Sequence, residues 1–105
     1  GYIVANEWME YTVNVTAAGN YNIEARVATT TTGKSFRLEL DGSSIGNFTL
    51  PNTGDWQTWQ TVALNNVALT AGQKVLRLFA TSTDFNVDKI TFTRATATNQ
   101  APVVS

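Results

Sequence analysis

The sequence contains no cysteine and no histidine. Their absence excludes disulfide bonds, zinc sites built from thiolates or imidazoles, and nucleophilic catalysis that depends on either residue. Charged residues are scarce, at 14% of the chain, and seven basic residues nearly balance eight acidic ones. Since no stretch is strongly basic, we expect no nucleic-acid partner and no binding to an anionic membrane. The sequence also has no hydrophobic run long enough to predict a transmembrane helix.

Threonine and asparagine are abundant, with seventeen and ten residues in a chain of 105. This length has room for one hydrophobic core. Threonine is β-branched and suits strands, whereas asparagine suits the turns between them. The composition is typical of extracellular β-domains, so we expect a secreted protein.

Apolar and polar residues alternate along most of the chain, which indicates half-buried strands. Between Glu7 and Val15, one face carries four apolar residues, Met9, Tyr11, Val13 and Val15, and we expect all four in the core. The same pattern predicts strands over 7–15, 21–27, 36–41, 45–50, 57–64, 67–69, 74–80 and 86–94. Many short strands without a helical period predict an all-β fold, a two-sheet antiparallel β-sandwich or a barrel. We assign residues 1–94 to this domain and 95–105 to a linker toward a further module.

Trp8 lies on the opposite face from the expected core residues of its strand. By the same alternation, Glu39 faces outward on its own strand. An exposed indole can stack on the apolar face of a sugar ring, while carboxylates and guanidinium groups bind its hydroxyls. The alternatives are a tryptophan that packs over salt-bridged side chains, or a bulge that returns the ring to the core.

The other two tryptophans differ in their surroundings. Trp56 follows a loop of Asn, Thr, Gly and Asp, so we expect its indole to be exposed at one end of the sandwich. Trp59 falls within a predicted strand and is assigned to the core. Asn86 follows another polar loop and offers a donor and an acceptor to a ligand. Each could instead be a loop anchor or a strand-start cap.

Several segments together resemble family 6 carbohydrate-binding modules. Residues 1–13, GYIVANEWMEYTV, are similar to the opening motif of that family. Further segments follow in family order at similar spacing: AGNY at 18–21, RVA at 26–28, FRLELDG at 36–42, TGDWQTWQTV at 53–62, LTAGQKVLRL at 69–78 and FNVD at 85–88. No single segment is specific for the family, but their shared order over residues 1–94 is specific for it.

The resemblance implies a jelly roll that binds polysaccharides or oligosaccharides and is covalently linked to a secreted glycoside hydrolase. The family's loop-end site, an aromatic pair and an asparagine, falls on Tyr2, Trp56 and Asn86. Its second site, on a sheet face, falls on Trp8 and Glu39. The implied ligand is a plant or algal β-glycan of the xylan, β-glucan or agar type, and the near-zero net charge of the chain favours a neutral one.

The chain departs from the family pattern at several positions. Asn6 and Asp55 replace two usual glycines, and Lys89 stands where an aromatic often occurs. Family members also carry about thirty residues before the first motif, including a strand whose acidic side chains help to hold a structural calcium ion. The resemblance implies that sugar binding requires no cofactor. It allows a structural calcium ion, but the sequence does not identify the residues that would bind it.

Two other classes of function stay open. A glycosidase needs two carboxylates at a fixed separation, and Glu10, Glu24 and Glu39 are the candidates. They lie on flat strand faces that offer little pocket, so we predict that the domain is not an enzyme. The alternative function is a structural module of a secreted adhesin or fibre, which assembles through an exposed sheet edge.

Overall fold

The domain is a sandwich of two four-stranded antiparallel sheets. The structure, a computed structural model, describes residues 2–3 and 5–95. The strands are β1 (Tyr2–Ile3), β2 (Trp8–Val15), β3 (Gly19–Ala28), β4 (Lys34–Leu40), β5 (Ser43–Leu50), β6 (Gln60–Leu69), β7 (Gly72–Ala80) and β8 (Phe85–Arg94). They form sheet A, in the order β1-β8-β3-β6, and sheet B, in the order β2-β7-β4-β5. This architecture confirms the predicted β-sandwich.

The core lies between the sheets and is built from the inward residues of both. Phe36 of β4 stacks on Phe48 of β5 at 4.9 Å between ring centroids, and on Phe85 of β8 at 5.6 Å. At Gly46 the sheets approach so closely that an added Cβ would lie 2.7 Å from a methyl carbon of Leu64. Glycine therefore permits this contact, and its φ of 148° is one that other residues rarely adopt.

The two strands predicted over 57–64 and 67–69 are one strand, β6. The prediction was wrong because the alternation changes phase: Leu64 and Leu69 both face the core, five residues apart. An extra residue in β6 shifts its pairing with β3 between Tyr21 and Ile23. Asn66 occupies this bulge with a φ of 58°, and its N–H donates to Oδ1 of Asn22 at 3.0 Å. A bulge thus restores the inward face without ending the strand.

Tyr11 is not part of the core, contrary to the prediction. Its inward neighbour Val15 is buried, and Met9 and Val13 are half-buried, but Tyr11 is 51% exposed. It lies on the inner face of sheet B, on edge strand β2. The alternation therefore gave the correct face, but sheet A does not cover this part of it.

The two ends of the described chain differ from the sequence prediction or lie beyond it. At the N-terminal end, β1 is a strand that the alternation did not predict. Of the predicted linker, only Ala95 belongs to the described residues, and its N–H donates to the carbonyl of Asn20 at 2.9 Å. Residues 96–105 lie outside them. Within the described ranges, no helix is long and apolar enough to cross a membrane.

Candidate functional site

One end of the sandwich carries a group that we call the loop-end cluster: Trp56, Asn86 and the backbone of β1. Trp56 lies in the loop between β5 and β6 and is half-buried. The Nδ2 atom of Asn86 donates to the carbonyl oxygen of Trp56 at 3.3 Å. Tyr2 pairs with Asn86 in the β1–β8 register. The structure therefore brings together the backbones of all three residues expected at the first sugar site, Tyr2, Trp56 and Asn86.

A buried threonine pair holds the Trp56 loop in place. The N–H of Thr53 donates to the carbonyl of Thr29 at 2.9 Å, and the N–H of Thr29 donates to Oγ1 of Thr53 at 3.1 Å. Thr29 is fully buried and Thr53 is 9% exposed. The Thr29 hydroxyl also donates to the carbonyl of Asp84, at 2.9 Å, in the loop before β8. Thr29 thus connects the two loops that flank the loop-end cluster.

The Trp56 loop is further stabilised by its own short-range hydrogen bonds. Gly54 has a φ of 88°, and its N–H donates to Oδ1 of Asn52 at 2.8 Å. The N–H of Gln57 donates to Oδ1 of Asp55 at 3.3 Å. Such side-chain bonds to nearby backbone are typical of Asn and Asp in turns. These bonds fix the backbone of the loop on both sides of Trp56.

The outer face of sheet B carries a second group, the sheet-face cluster: Trp8, Glu10, Arg37, Glu39, Arg77 and Phe79. Strand pairing arranges it in two rows. Trp8 pairs with Phe79, which pairs with Arg37 in the next strand. Glu10 pairs with Arg77, which pairs with Glu39. Trp8 is 51% exposed, as the alternation predicts, so both residues expected at the second sugar site lie on one surface.

Each arginine of the sheet-face cluster contacts an aromatic ring and a carboxylate. The guanidinium carbon of Arg77 lies 4.5 Å from the ring centroid of Trp8, and its Nη2 lies 2.6 Å from Oε2 of Glu10. Arg37 repeats the arrangement, at 4.6 Å from the ring of Phe79 and 2.8 Å from Oε2 of Glu39. Because both arginines are paired with carboxylates, the surface offers polar groups and the exposed ring of Trp8 without excess charge of either sign.

Trp59 is not a core residue, contrary to the prediction. It precedes β6, is half-buried, and lies under Arg26 at 5.2 Å from the guanidinium carbon to the ring centroid. Arg26 also pairs with Asp88 at 2.8 Å. Its position inside the predicted strand 57–64 suggested burial, but the strand starts at Gln60 and the ring packs against the outside of sheet A.

Sequence reasoning missed the residues that support both clusters. Arg77 and Phe79 could have been found, since Leu76 and Leu78 point inward and their neighbours must therefore point outward. Thr29 and Thr53 gave no such signal. Threonine is common in this chain, and only the folded structure shows which two hydroxyl-bearing residues meet in the interior.

The described residues do not suggest a metal site. Within residues 2–3 and 5–95, no group of three or more Asp, Glu, His or Cys residues lies close enough to hold an ion. The calcium ion that the family resemblance implies therefore has no such ligand set in this part of the chain.

The fold and the two clusters define a class of protein: a β-sandwich with aromatic rings beside hydrogen-bonding groups, a half-buried tryptophan at one end and an exposed one on a sheet face. The family model "carbohydrate binding module (family 6)" matches residues 1–94. The chain belongs to this family.

Solved structures of this family are similar in sequence and fold. The C-terminal family 6 module of LamC, a marine laminarinase from Zobellia galactanivorans, is 37% identical with a TM-score of 0.85, over 90% of this chain and 77% of that one. A module of Cellvibrio mixtus lichenase 5A, in complex with cellotriose, is 35% identical with a TM-score of 0.81, over 90% and 75% of the two chains.

A curated relative is much longer than this chain. The clotting factor G alpha subunit of Tachypleus tridentatus is 33% identical over 90 residues, which are 83% of this chain and 13% of that protein. In four other curated relatives, the matched segment is between 9% and 15% of the relative's length. The similarity thus concerns one module of these proteins.

Proposed function

We propose that this domain is a non-catalytic module that binds a neutral β-glycan at the loop-end cluster, with the sheet-face cluster as a second site. The arrangement of Trp56 and Asn86 beside β1 carries this proposal. The family and the cellotriose complex of a relative support it. The ligand class is a plant or algal polysaccharide of the xylan, β-glucan or agar type, and the cellotriose complex of one relative supports a β-glucan within this class.

The loop-end cluster has the parts that a sugar site needs. The indole of Trp56 supplies an apolar surface for a pyranose ring, and Tyr2 is proposed as its aromatic partner. Asn86 uses one amide hydrogen to hold the Trp56 carbonyl. Its Oδ1 lies outside that bond and is proposed as a hydroxyl acceptor. Asn86 therefore both positions the platform and contacts the ligand.

The sheet-face cluster suits a longer chain of sugars. Trp8 is the platform, and Glu39 is the proposed hydroxyl acceptor, held by Arg37 at 2.8 Å. Glu39 is the more enclosed of the two carboxylates, with 16% of its side chain exposed against 39% for Glu10. A carboxylate that an arginine holds in place is a good acceptor for a sugar hydroxyl. This supports a role of Glu39 in binding.

The electrostatics favour a neutral glycan. Asp55 is exposed one residue before Trp56 and would repel a polyanion there. On the sheet face, Arg37 and Arg77 are paired with carboxylates. The whole chain has a formal charge of −1, so it offers no general attraction for acidic polysaccharides.

In the full-length protein, we propose that this module is linked to a glycoside hydrolase, is secreted, and holds the enzyme on polysaccharide. Laminarinase and lichenase modules of similar fold support this. The second candidate is a structural module of a secreted adhesin or fibre. It is favoured by one observation: among residues 2–3 and 5–95, no strand pairs with the outer edge of β2 in sheet B.

Affinity electrophoresis against soluble laminarin, lichenan, xylan and agar tests the proposal. We expect retardation by a neutral β-glycan, with dissociation constants of about 10 µM to 1 mM, which correspond to about −7 to −4 kcal/mol. Trp56→Ala should abolish most of this binding and leave the melting temperature nearly unchanged.

Trp59→Ala is the matched control, since it removes an indole three residues away that lies on the outside of sheet A. It should bind normally. Release of sugar products would show an enzyme instead, and an unretarded protein that self-associates would show the structural module. Equal binding by Trp56→Ala and the unchanged protein would refute the loop-end site.

A further inference from the structure

The outer face of sheet B continues beyond the sheet-face cluster onto edge strand β5. Asn47 of β5 pairs with Arg37 of β4, and Ser44 pairs with Glu39. Side chains of directly paired residues lie on the same face of an antiparallel sheet. Asn47 and Ser44 are both exposed, so each row of the sheet-face cluster gains a fourth member and crosses all four strands of the sheet.

In the β2–β7 half of this face, the polar groups are already bonded to one another. Arg77 donates from both Nε and Nη2 to Oε2 of Glu10, at 3.0 and 2.6 Å. Its guanidinium carbon also lies 4.5 Å from the ring centroid of Trp8. This half therefore supplies a stacking platform, while two of the three guanidinium nitrogens of Arg77 are in use within the protein.

The β4–β5 half of the face has unused hydrogen-bonding groups. Arg37 donates to Glu39 through Nε alone, at 2.8 Å. Among the residues that the structure describes, the terminal nitrogens of Arg37 and the side chains of Asn47 and Ser44 have no hydrogen-bond partner. Each terminal nitrogen carries two N–H donors, the asparagine amide offers donors and an acceptor, and the serine hydroxyl offers both. Several such groups close together on one surface can bind the hydroxyls of a sugar.

The other directions from Trp8 offer less to a sugar chain. Toward the loop end, the hydroxyls that come next along β4 and after β7, those of Ser35 and Thr81, are bonded to each other at 2.7 Å. In the opposite direction along β7, the outward residue after Arg77 is Val75, an apolar side chain that is 43% exposed. A ligand that needs partners for its hydroxyls therefore gains most by crossing the strands.

We propose that a linear glycan at the sheet-face site runs across the strands, from Trp8 on β2 to Asn47 on β5, where Asn47 and the terminal nitrogens of Arg37 bind its hydroxyls. Neighbouring strands are about 4.8 Å apart, so the three steps from β2 to β5 span about 14 Å. This span is longer than one pyranose ring, so the site contacts consecutive sugars of a chain. The inference rests on the proposed sheet-face site and adds its direction and a specificity-determining residue on a fourth strand.

Calorimetry in a Trp56→Ala background, which removes the loop-end platform, tests the proposal with cellohexaose as the probe. We expect Asn47→Ala to weaken binding about five-fold, which corresponds to the loss of about one hydrogen bond. The melting temperature should stay unchanged, because the Asn47 side chain is exposed. In an NMR titration with cellohexaose, the amide signals of Ser44 and Asn47 should shift.

Asn14→Ala in the same background is the matched control. Asn14 is an exposed asparagine on the same outer face, further along β2, where it pairs with Gln73 of β7. A glycan that crosses the strands at Trp8 does not reach it, so affinity and the Asn14 amide signal should stay unchanged. A loss of affinity in Asn14→Ala but not in Asn47→Ala would overturn the proposal, since the glycan would then run along the strands.

Trp8→Ala in this background separates the inference from the proposed function on which it rests. If Trp8→Ala abolishes cellohexaose binding while Asn47→Ala binds normally, the second sugar site is supported and its extension to β5 is wrong. If the Trp56→Ala protein does not bind cellohexaose, or binds it equally well without Trp8, the second site and the inference are both wrong. A complete loss in Trp8→Ala with a partial loss in Asn47→Ala supports both.

Discussion

The loop-end cluster and the sheet-face cluster contain the same kind of groups, a tryptophan ring beside hydrogen-bonding side chains, but they are held by different interactions. At the loop end, buried backbone and hydroxyl hydrogen bonds between Thr29 and Thr53 fix the loop that carries Trp56. On the sheet face, strand register fixes Trp8, and exposed ion pairs and ring contacts orient it.

This difference has an energetic consequence. A buried donor that loses its acceptor costs about 1–3 kcal/mol, whereas exposed ion pairs typically contribute about 0–1 kcal/mol. The loop-end cluster should therefore be coupled to the stability of the domain, and the sheet-face cluster should be nearly independent of it. A ligand platform on a sheet can change with little effect on the fold, but a platform on a loop depends on its anchor.

The largest effect is expected for Thr53→Val, which keeps the side-chain shape and removes the hydroxyl. The Thr29 N–H, 3.1 Å from Oγ1 in the unchanged protein, loses this acceptor. Unfolding free energy should fall by about 1–3 kcal/mol in urea denaturation. Glycan affinity at the loop end should fall with it. Thr49→Val, on the exposed side of β5, is the control and should change stability by less than about 0.5 kcal/mol. Equal stability of the two variants would show that the anchor is not needed.

An intermediate effect is expected for Trp8→Ala. Because Trp8 is 51% exposed and contacts Arg77, its loss should reduce stability by less than about 1 kcal/mol, whereas a core tryptophan would cost about 3–5 kcal/mol. A melting curve distinguishes the two. On a long glycan, Trp56→Ala should retain partial affinity that disappears in the double variant. If the double variant binds as well as Trp56→Ala, the sheet face is not a sugar site.

The smallest effect is expected for Arg77→Lys. The substitution keeps the charge and removes the planar group that lies over Trp8 and reaches Glu10 through two nitrogen atoms. Stability should change by less than about 1 kcal/mol, within the range of exposed pairs. In a Trp56→Ala background, calorimetry with a long glycan should show affinity reduced a few-fold. Unchanged affinity would mean that Trp8 needs no support from Arg77.

The sheet-face cluster was largely predictable because alternation is a local property. Residues on one face of a strand are two positions apart, so the core side of β2 and β4 placed Trp8 and Glu39 outward without knowledge of the partner strands. The pairing of Trp8 with Phe79 and Arg77 was not predictable in this way. It depends on β7 lying between β2 and β4, although these strands are far apart in sequence.

The family resemblance predicted which residues form the loop-end cluster. It did not predict the hydrogen bonds that hold the Trp56 loop in place. Nothing local distinguishes Thr29 or Thr53 from the other threonines of the chain. Their role arises because the fold brings these two residues, which are 24 positions apart in the sequence, into hydrogen-bond contact. Whether Trp56, Asn86 and Tyr2 bind sugar stays a prediction for the experiments above.

By itself, the sequence determined the strand-rich fold and the division of most strands into inner and outer faces, because both follow from side-chain alternation and turn residues. Tertiary structure decided three things that local pattern does not contain. It merged β6 across the Asn66 bulge, where an extra residue resets the phase of the alternation. It placed Trp59 outside sheet A, under Arg26. It left Tyr11 exposed on the inner face of sheet B, because burial requires a second sheet opposite the first, and sheet A does not cover this part of β2.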